Sequence, residues 1–222
     1  KGSCNNMTHD LKCVPETPDG FSLEHEVVRP DVWATIQHWL SSNMLPDSST
    51  NERIYVPIPW EIGPQMQGRK IAQFGNCRYD YVADVADQFD DPSNDDDDAP
   101  PPIPDYIRHT LLNGEHNFQQ YTQCIINMYE ANNEIPWHLD HEYFGPDVLV
   151  YTFGENRPLL LRKPVNGDEN IHNQEEEDKV YIYSQSLPRH CSKYALSGPA
   201  RHVWEHSVPS GKGERISITF RS

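Results

Sequence analysis

The chain has 222 residues, enough for one domain with a substantial core and a short appended segment, and its formal charge of −16 speaks against a broad basic face that grips duplex nucleic acid. Five scattered cysteines (Cys4, Cys13, Cys77, Cys124 and Cys191) form no Cys-x-x-Cys pair and argue for reduced thiols rather than a disulfide framework. No apolar stretch approaches bilayer-spanning length and no basic-then-apolar leader is seen, so the expected setting is the nucleus or cytoplasm, without a membrane partner.

Residues up to about Glu26 are polar, rich in Asn, Asp and Pro, and aperiodic; residues 1–27 therefore read as an arm, with one folded domain over 28–222. Asp31 is placed to cap a helix running to Leu40, because Val32, Ile36 and Trp39/Leu40 recur at helical spacing. The stretch Arg53 to Trp60 favours β-structure but holds two prolines, which suits an edge strand or an extended loop. Arg69 to Tyr81 reads as short strands. The acidic run of Asp90, Asp91 and Asp95 to Asp98 leads into a proline-rich stretch, and Glu175 to Asp178 form a second run; both read as solvated loops. A second helix is expected from Asp105 to Leu112, closed by Asn113-Gly114.

From Tyr121 onward, short apolar runs recur between turn signals: Cys124–Tyr129, Val148–Phe153, Leu159–Arg162, Val180–Tyr183, Lys193–Leu196, Arg201–Trp204 and Arg215–Phe220. That spacing predicts an antiparallel β-sandwich or barrel over about 121–222, hence an α+β, β-dominated fold with its helices towards the N-terminus. No partner subunit is indicated, and a monomer is expected.

In Ile135-Pro-Trp-His-Leu-Asp-His-Glu142, His138 and Asp140 are two residues apart and on an extended strand would point to one face. His206, between two later predicted strands, can complete a set of two histidines and one carboxylate. Such a set holds iron(II) on one face and leaves the opposite positions open. The pair is weak alone in a chain with eleven histidines, and the same three ligands suit zinc. His141 directly follows Asp140 and could compete, but it points to the other face if the strand continues.

The last strand, Arg215-Ile-Ser-Ile-Thr-Phe-Arg221, alternates cleanly. Arg215, Ser217, Thr219 and Arg221 share one face, and Ile216, Ile218 and Phe220 the other, which should enter the sandwich core. A wet edge strand explains the polar face, and so does a pair of guanidiniums clamping a dicarboxylate. Asn127 and Tyr129, on one face of the strand before His138, would add neutral donors.

Taken together, these pieces resemble the AlkB family of iron(II)/2-oxoglutarate dioxygenases. The matching residues, in order, are Asn127-Met-Tyr129, His138-Leu-Asp140 with Glu142, Ser197-Gly-Pro-Ala-Arg201, His206, and Arg215-x-Ser-x-Thr-x-Arg221. Gly68-Arg-Lys-Ile-Ala-Gln-Phe-Gly75 and Tyr79-Asp-Tyr81 look like the stretch leading into the family's substrate-binding lid, here about 53–104, and Pro102-Ile-Pro104 like the entry to the next helix. The likeness covers about 28–222. It implies a double-stranded β-helix (jelly-roll) core, iron at His138, Asp140 and His206, and O2 and 2-oxoglutarate as co-reactants. Arg215 would hold the distal carboxylate, with Asn127, Tyr129, Ser217 and Arg221 completing that pocket. Ser217 stands where many repair members carry Asn.

The resemblance also implies a nucleic-acid substrate, RNA or single-stranded DNA, whose modified base is demethylated or hydroxylated while 2-oxoglutarate becomes succinate. Glu142 matches the family's acidic position near the base and Arg201 a pocket-lining arginine. Tyr79, Tyr81, Trp137 and Phe144 are aromatic candidates for stacking, each equally suited to core packing. Pro136, Trp137 and Phe144 are also similar to eukaryotic members that include a tRNA wobble-uridine hydroxylase. A tRNA base or a protein side chain therefore stays open as substrate, as do a zinc hydrolase and an inactive binding domain from other classes.

Overall fold

This computed structural model describes residues 16–62, 68–81, 83, 85–89, 99–164, 180–187 and 191–222, with the backbone of 12 and 13. Both acidic runs lie outside the described residues. In chain order the strands are β1 (Lys12–Cys13), β2 (Phe21–His25), β3 (Met44–Pro46), β4 (Arg53–Tyr55), β5 (Trp60–Ile62), β6 (Lys70–Gly75), β7 (Cys77–Asp80) and β8 (Val85–Gln88). They continue as β9 (Gln123–Tyr129), β10 (Ile135–His138), β11 (Val148–Gly154), β12 (Leu159–Pro164), β13 (Val180–Gln185), β14 (Ser192–Leu196), β15 (Glu205–Val208) and β16 (Arg215–Arg221). The helices are α1 (Pro30–Ser42), α2 (Asp105–Leu111) and α3 (Gly198–His202).

Seven strands form a major sheet in the order β2-β14-β11-β16-β9-β6-β5, and five form a minor sheet in the order β1-β13-β12-β15-β10. From β9 the chain crosses repeatedly between them. Strands β9, β11, β14 and β16 lie in the major sheet, and β10, β12, β13 and β15 in the minor. This winding is the expected jelly roll, β-dominated with few helices.

Two apolar layers hold the sheets. Between them, Val148, Val150, Tyr194 and Leu196 of the major sheet cluster with Leu159, Leu161 and Val208 of the minor sheet. On the other side of the major sheet, Phe74, Ile126, Ile218 and Phe220 pack with Ile36 and Trp39 of α1 and Ile107 and Leu111 of α2. Trp39 is fully buried and its indole N–H donates to the Val56 carbonyl at 2.8 Å, which satisfies the one polar atom it takes inside. Trp33 stacks on Phe153 at 4.0 Å. The apolar face of β16 thus meets the helices and not the space between the sheets, as the alternation had suggested. A period of two says which side chains share a face, but the layer opposite that face is chosen by long-range packing.

Other differences are local. Phe21–His25 is not part of a loop: it pairs antiparallel with β14, and Phe21 and Leu23 pack against the inter-sheet cluster. Asp31 does not cap α1. The helix starts with Pro30 at its first turn, and Asp31 pairs instead with Arg29 at 2.6 Å. The strand expected at Arg201–Trp204 is instead the end of the short helix α3 and the turn after it, and the strand begins at Glu205. Pro199 near the helix start favours that geometry.

Of the expected lid, β5 and β6 extend the major sheet, whereas β7 and β8 form a separate two-stranded ribbon. Gly75 makes the bend between β6 and β7 at φ 102°, and a Cβ there would run into the Thr122 carbonyl.

Candidate metal centre and the two cavities that meet there

Strands β10 and β15 pair so that His138 lies opposite His206, which brings the imidazoles side by side with ring centroids 4.2 Å apart. The register slips between Ile135 and His138, and β10 ends there. Asp140 therefore sits just past the strand, not on it, yet still turns inward and is buried. Donor atoms of His138, Asp140 and His206 lie within 4.8 Å of one another. Among the described residues this is the group of His, Cys, Asp and Glu able to hold a metal ion.

The protonation states suit that role. Burial drives His206 down to about 3, helped by the neighbouring His138, and burial likewise lowers His138. Both imidazoles are neutral and keep a lone pair for a metal. His138 Nδ1 lies 2.9 Å from the Pro136 carbonyl; donating there leaves Nε2 as the free ligand atom. For Asp140, burial works to raise the carboxyl, but Arg221 first, then His206, His138 and Arg201, outweigh it and hold it well below the usual carboxylate range.

Arg201 is buried and gives Nη1 to the Asp140 carbonyl at 3.0 Å and Nη2 to the carbonyls of His141 and Phe144 at 2.8 and 3.2 Å. It fastens the loop that carries Asp140 and lines neither cavity.

On the inter-sheet side of the triad lies an inner chamber walled by the polar face of β16, with Asn127, Tyr129 and Tyr194. Arg215 is 1% exposed, and its Nη1 and Nη2 are buried without a hydrogen-bond partner. The guanidinium sits over the Tyr129 ring at 5.3 Å. Buried unpaired donors on a full charge are costly to leave unmet, so the chamber is built for an anion. Ser217 lies 3.5 Å from both Asn127 Nδ2 and the Tyr129 hydroxyl, which places all three beside that guanidinium.

Outside the triad is a cleft of about 430 Å³, walled by Tyr79, Tyr81, His141, Phe144, Leu139 and Arg69. Tyr79 and Tyr81 meet edge to face at 4.8 Å, and Tyr79 lies 5.6 Å from Phe144. Asn127, His138, Asp140 and Arg221 line both cavities, so two of the three ligands stand at the junction, and His206 lines the inner chamber. His141 faces this cleft because β10 ends at His138, so the condition for its pointing to the other face is not met.

Trp137, next to His138 on β10, turns to the opposite face and lies under Arg162 at 4.6 Å. Glu142 is exposed and lines neither cavity. Tyr194 and Arg69 line the cavities without having been singled out for these roles, whereas Thr219 lies on the polar face expected to line one. For Thr219 the alternation of β16 was a sufficient signal. Tyr194 and Arg69 needed the sheets to be assembled.

The sequence matches the model of the 2OG-Fe(II) oxygenase superfamily over residues 36–221. The chain belongs to the 2OG-Fe(II) oxygenase superfamily. The chain is 29% identical over 170 residues to the RNA demethylase ALKBH9B of Arabidopsis thaliana, covering 74% of this chain and 31% of that protein. It is also 26% identical over 118 residues to the uncharacterized protein L905 of Acanthamoeba polyphaga mimivirus, covering 47% and 49%. The chain therefore spans less than half the length of these relatives. A prolyl hydroxylase from Trichoplax adhaerens, solved with a hypoxia inducible factor oxygen degradation domain peptide fragment, covers 92% of this chain and 83% of its own at 12% identity and a TM-score of 0.46.

The 2OG-Fe(II) oxygenases use Fe(II), 2-oxoglutarate and O2. The donor set of this superfamily member fits the first, two neutral imidazoles and one ionised carboxylate, and the orphaned guanidinium of Arg215 fits a carboxylate of the second. No described helix is long and apolar enough to cross a membrane.

Proposed function

We propose that this chain is an Fe(II)/2-oxoglutarate-dependent dioxygenase that demethylates or hydroxylates a modified base in RNA or single-stranded DNA. One observation carries the reading: the ligand triad stands between an inner chamber that holds the guanidinium of Arg215, with both Nη atoms unpaired, and an outer cleft with aromatic walls. Two reactants can thus reach one metal from opposite sides. The likeness to an RNA demethylase supports a nucleic-acid substrate.

His138, Asp140 and His206 would hold the iron, which with 2-oxoglutarate and O2 supplies the oxidant for a C–H bond and leaves succinate. Arg215 would fix the distal carboxylate, with Ser217, Tyr129 and Asn127 beside it. Arg221 keeps Asp140 charged and Arg201 keeps its loop in place. Tyr79, Tyr81 and Phe144 would flank the target base once it is out of its stack.

The test is mass spectrometry of RNA and DNA oligonucleotides, each with one known modified base, after aerobic incubation with iron(II)-loaded protein and 2-oxoglutarate. Loss of a methyl group or gain of oxygen on one base, with succinate formed and both abolished by His138→Ala, is the expected result. Metal-dependent hydrolysis without 2-oxoglutarate, and no succinate in its presence, would assign the triad to zinc chemistry.

A further inference from the structure

We infer that Arg157 is a positioning residue: from outside the inner chamber it fixes the chamber's far end, and so the length of the 2-oxo diacid accepted there. This rests on the assignment of that chamber to 2-oxoglutarate. The side chain is 1% exposed and does not line the chamber. Its Nε donates to Glu155 Oε2 at 2.8 Å and its Nη1 to the Asn133 carbonyl at 2.7 Å. Its Nη2 donates to the carbonyls of Glu130, at 3.1 Å, and Gly213. Every nitrogen is engaged, unlike those of Arg215, and Glu155 matches the charge. Arg157 is a satisfied brace and not a ligand-binding group.

What it braces are connections between the two sheets. Glu130 and Asn133 belong to the β9–β10 loop, Glu155 to the β11–β12 loop and Gly213 to the β15–β16 loop. The loops also meet directly: the Asn132 N–H donates to the Gly211 carbonyl at 2.9 Å, and the Lys212 N–H to Glu155 Oε1 at 3.0 Å. Gly211 packs so closely that a Cβ there would run into both Glu155 and Arg157. These loops leave the major sheet beside one cross-strand row, Gly154, Arg215 and Tyr129. Arg221, which holds Asp140, stands at the other end of β16, so Arg215 and Tyr129 form the chamber end remote from that ligand. The fully buried Tyr129 ring lies 5.3 Å from the Arg215 guanidinium inside the chamber and 5.8 Å from that of Arg157 outside it. By holding the ring and the loops around it, Arg157 keeps this end wall from retreating. The chamber is small, about 40 Å³, so a diacid one methylene longer has to push the wall back.

The experiment titrates 2-oxoglutarate and its one-methylene-longer homologue, 2-oxoadipate, into the Mn(II)-loaded protein without oxygen. Calorimetry gives the ratio of the two Kd values on one preparation, so the folded fraction cancels. The unaltered chain should favour 2-oxoglutarate by about tenfold or more, the scale of one misfitted methylene. In Arg157→Met the wall is free to yield, and the ratio should narrow by about threefold or more. Gly211→Ala keeps the arginine but displaces it, and should narrow the ratio in the same sense; it decides alone if Arg157→Met does not fold. Trp39→Ala weakens the fold in a different layer and should leave the ratio where it was. Equal affinities in the unaltered chain overturn the inference. So does a ratio that moves as much in Trp39→Ala, or one that stays fixed in Gly211→Ala and in any folded Arg157→Met, and either result leaves 2-oxoglutarate assigned to the chamber. Binding of neither diacid to the unaltered Mn(II)-loaded protein overturns that assignment as well.

Discussion

Arg221 reaches from the end of the last strand to within 2.5 Å of Asp140 Oδ1, tying the major sheet to the loop that carries the metal-binding carboxylate. The same guanidinium lies 4.2 Å over the Phe144 ring and gives Nη1 to Gln123 Oε1 at 3.3 Å, so it is fixed from three sides. Because Oδ1 is committed to Arg221, the atom left to face a metal is Oδ2, 3.9 Å from His206 Nε2. One residue therefore sets both the charge and the orientation of the third ligand.

Arg201 supports that loop from behind, through three backbone carbonyls. Arg201→Met should release the loop and weaken divalent-metal binding by roughly 10- to 100-fold, as the loss of outer partners of metal ligands does elsewhere. Titration calorimetry with Mn(II) checks this. Unchanged affinity would mean that the loop holds its shape without the arginine.

Arg215 supplies a planar pair of donors that a lysine ammonium cannot reproduce. Arg215→Lys should weaken 2-oxoglutarate binding by roughly tenfold or more, the usual scale for losing a hydrogen bond to a charged group, while metal binding survives. Calorimetric titration of 2-oxoglutarate into the metal-loaded variant decides it.

Stability should fall in acid partly through Glu155. The backbone N–H groups of Gly213 and Lys212, with Arg157, hold its carboxyl down to about 2 against a small opposing effect of burial. The folded value lies below the unfolded one of about 4.3, so its contribution is complete above that pH and is lost as pH falls towards 2. The Tm gap between the native chain and Glu155→Gln should be widest near neutrality and close over that interval. A gap that stays constant with pH would refute the assignment.

Trp39 anchors the helix layer on the outer face of the major sheet. Trp39→Ala removes a fully buried indole and its hydrogen bond to Val56, and should cost about 3–5 kcal/mol in chemical denaturation. A cost below about 1 kcal/mol would show that this layer collapses freely around the gap.

The local periods were readable because they depend on near neighbours alone. The polar stripe of Arg215, Ser217, Thr219 and Arg221 came from alternation along β16, and that strand lies where it was expected. The start of α1 was misjudged because a proline at the first turn competed with an apparent acidic cap. The strand expected at Arg201–Trp204 was misjudged because those four residues hold the end of a short helix and the turn before the strand that starts at Glu205.

By itself, then, the sequence determined which residue types could bind a metal and an anion, and in which order they occur. The tertiary structure alone decided that Asp140 meets His206 from beyond a strand end, that Trp137 turns away, and that Arg69 and Arg215 open into different cavities. The reason is physical: facing within one strand follows from backbone geometry, whereas the register between strands and the layer that covers each face depend on contacts far apart in the chain.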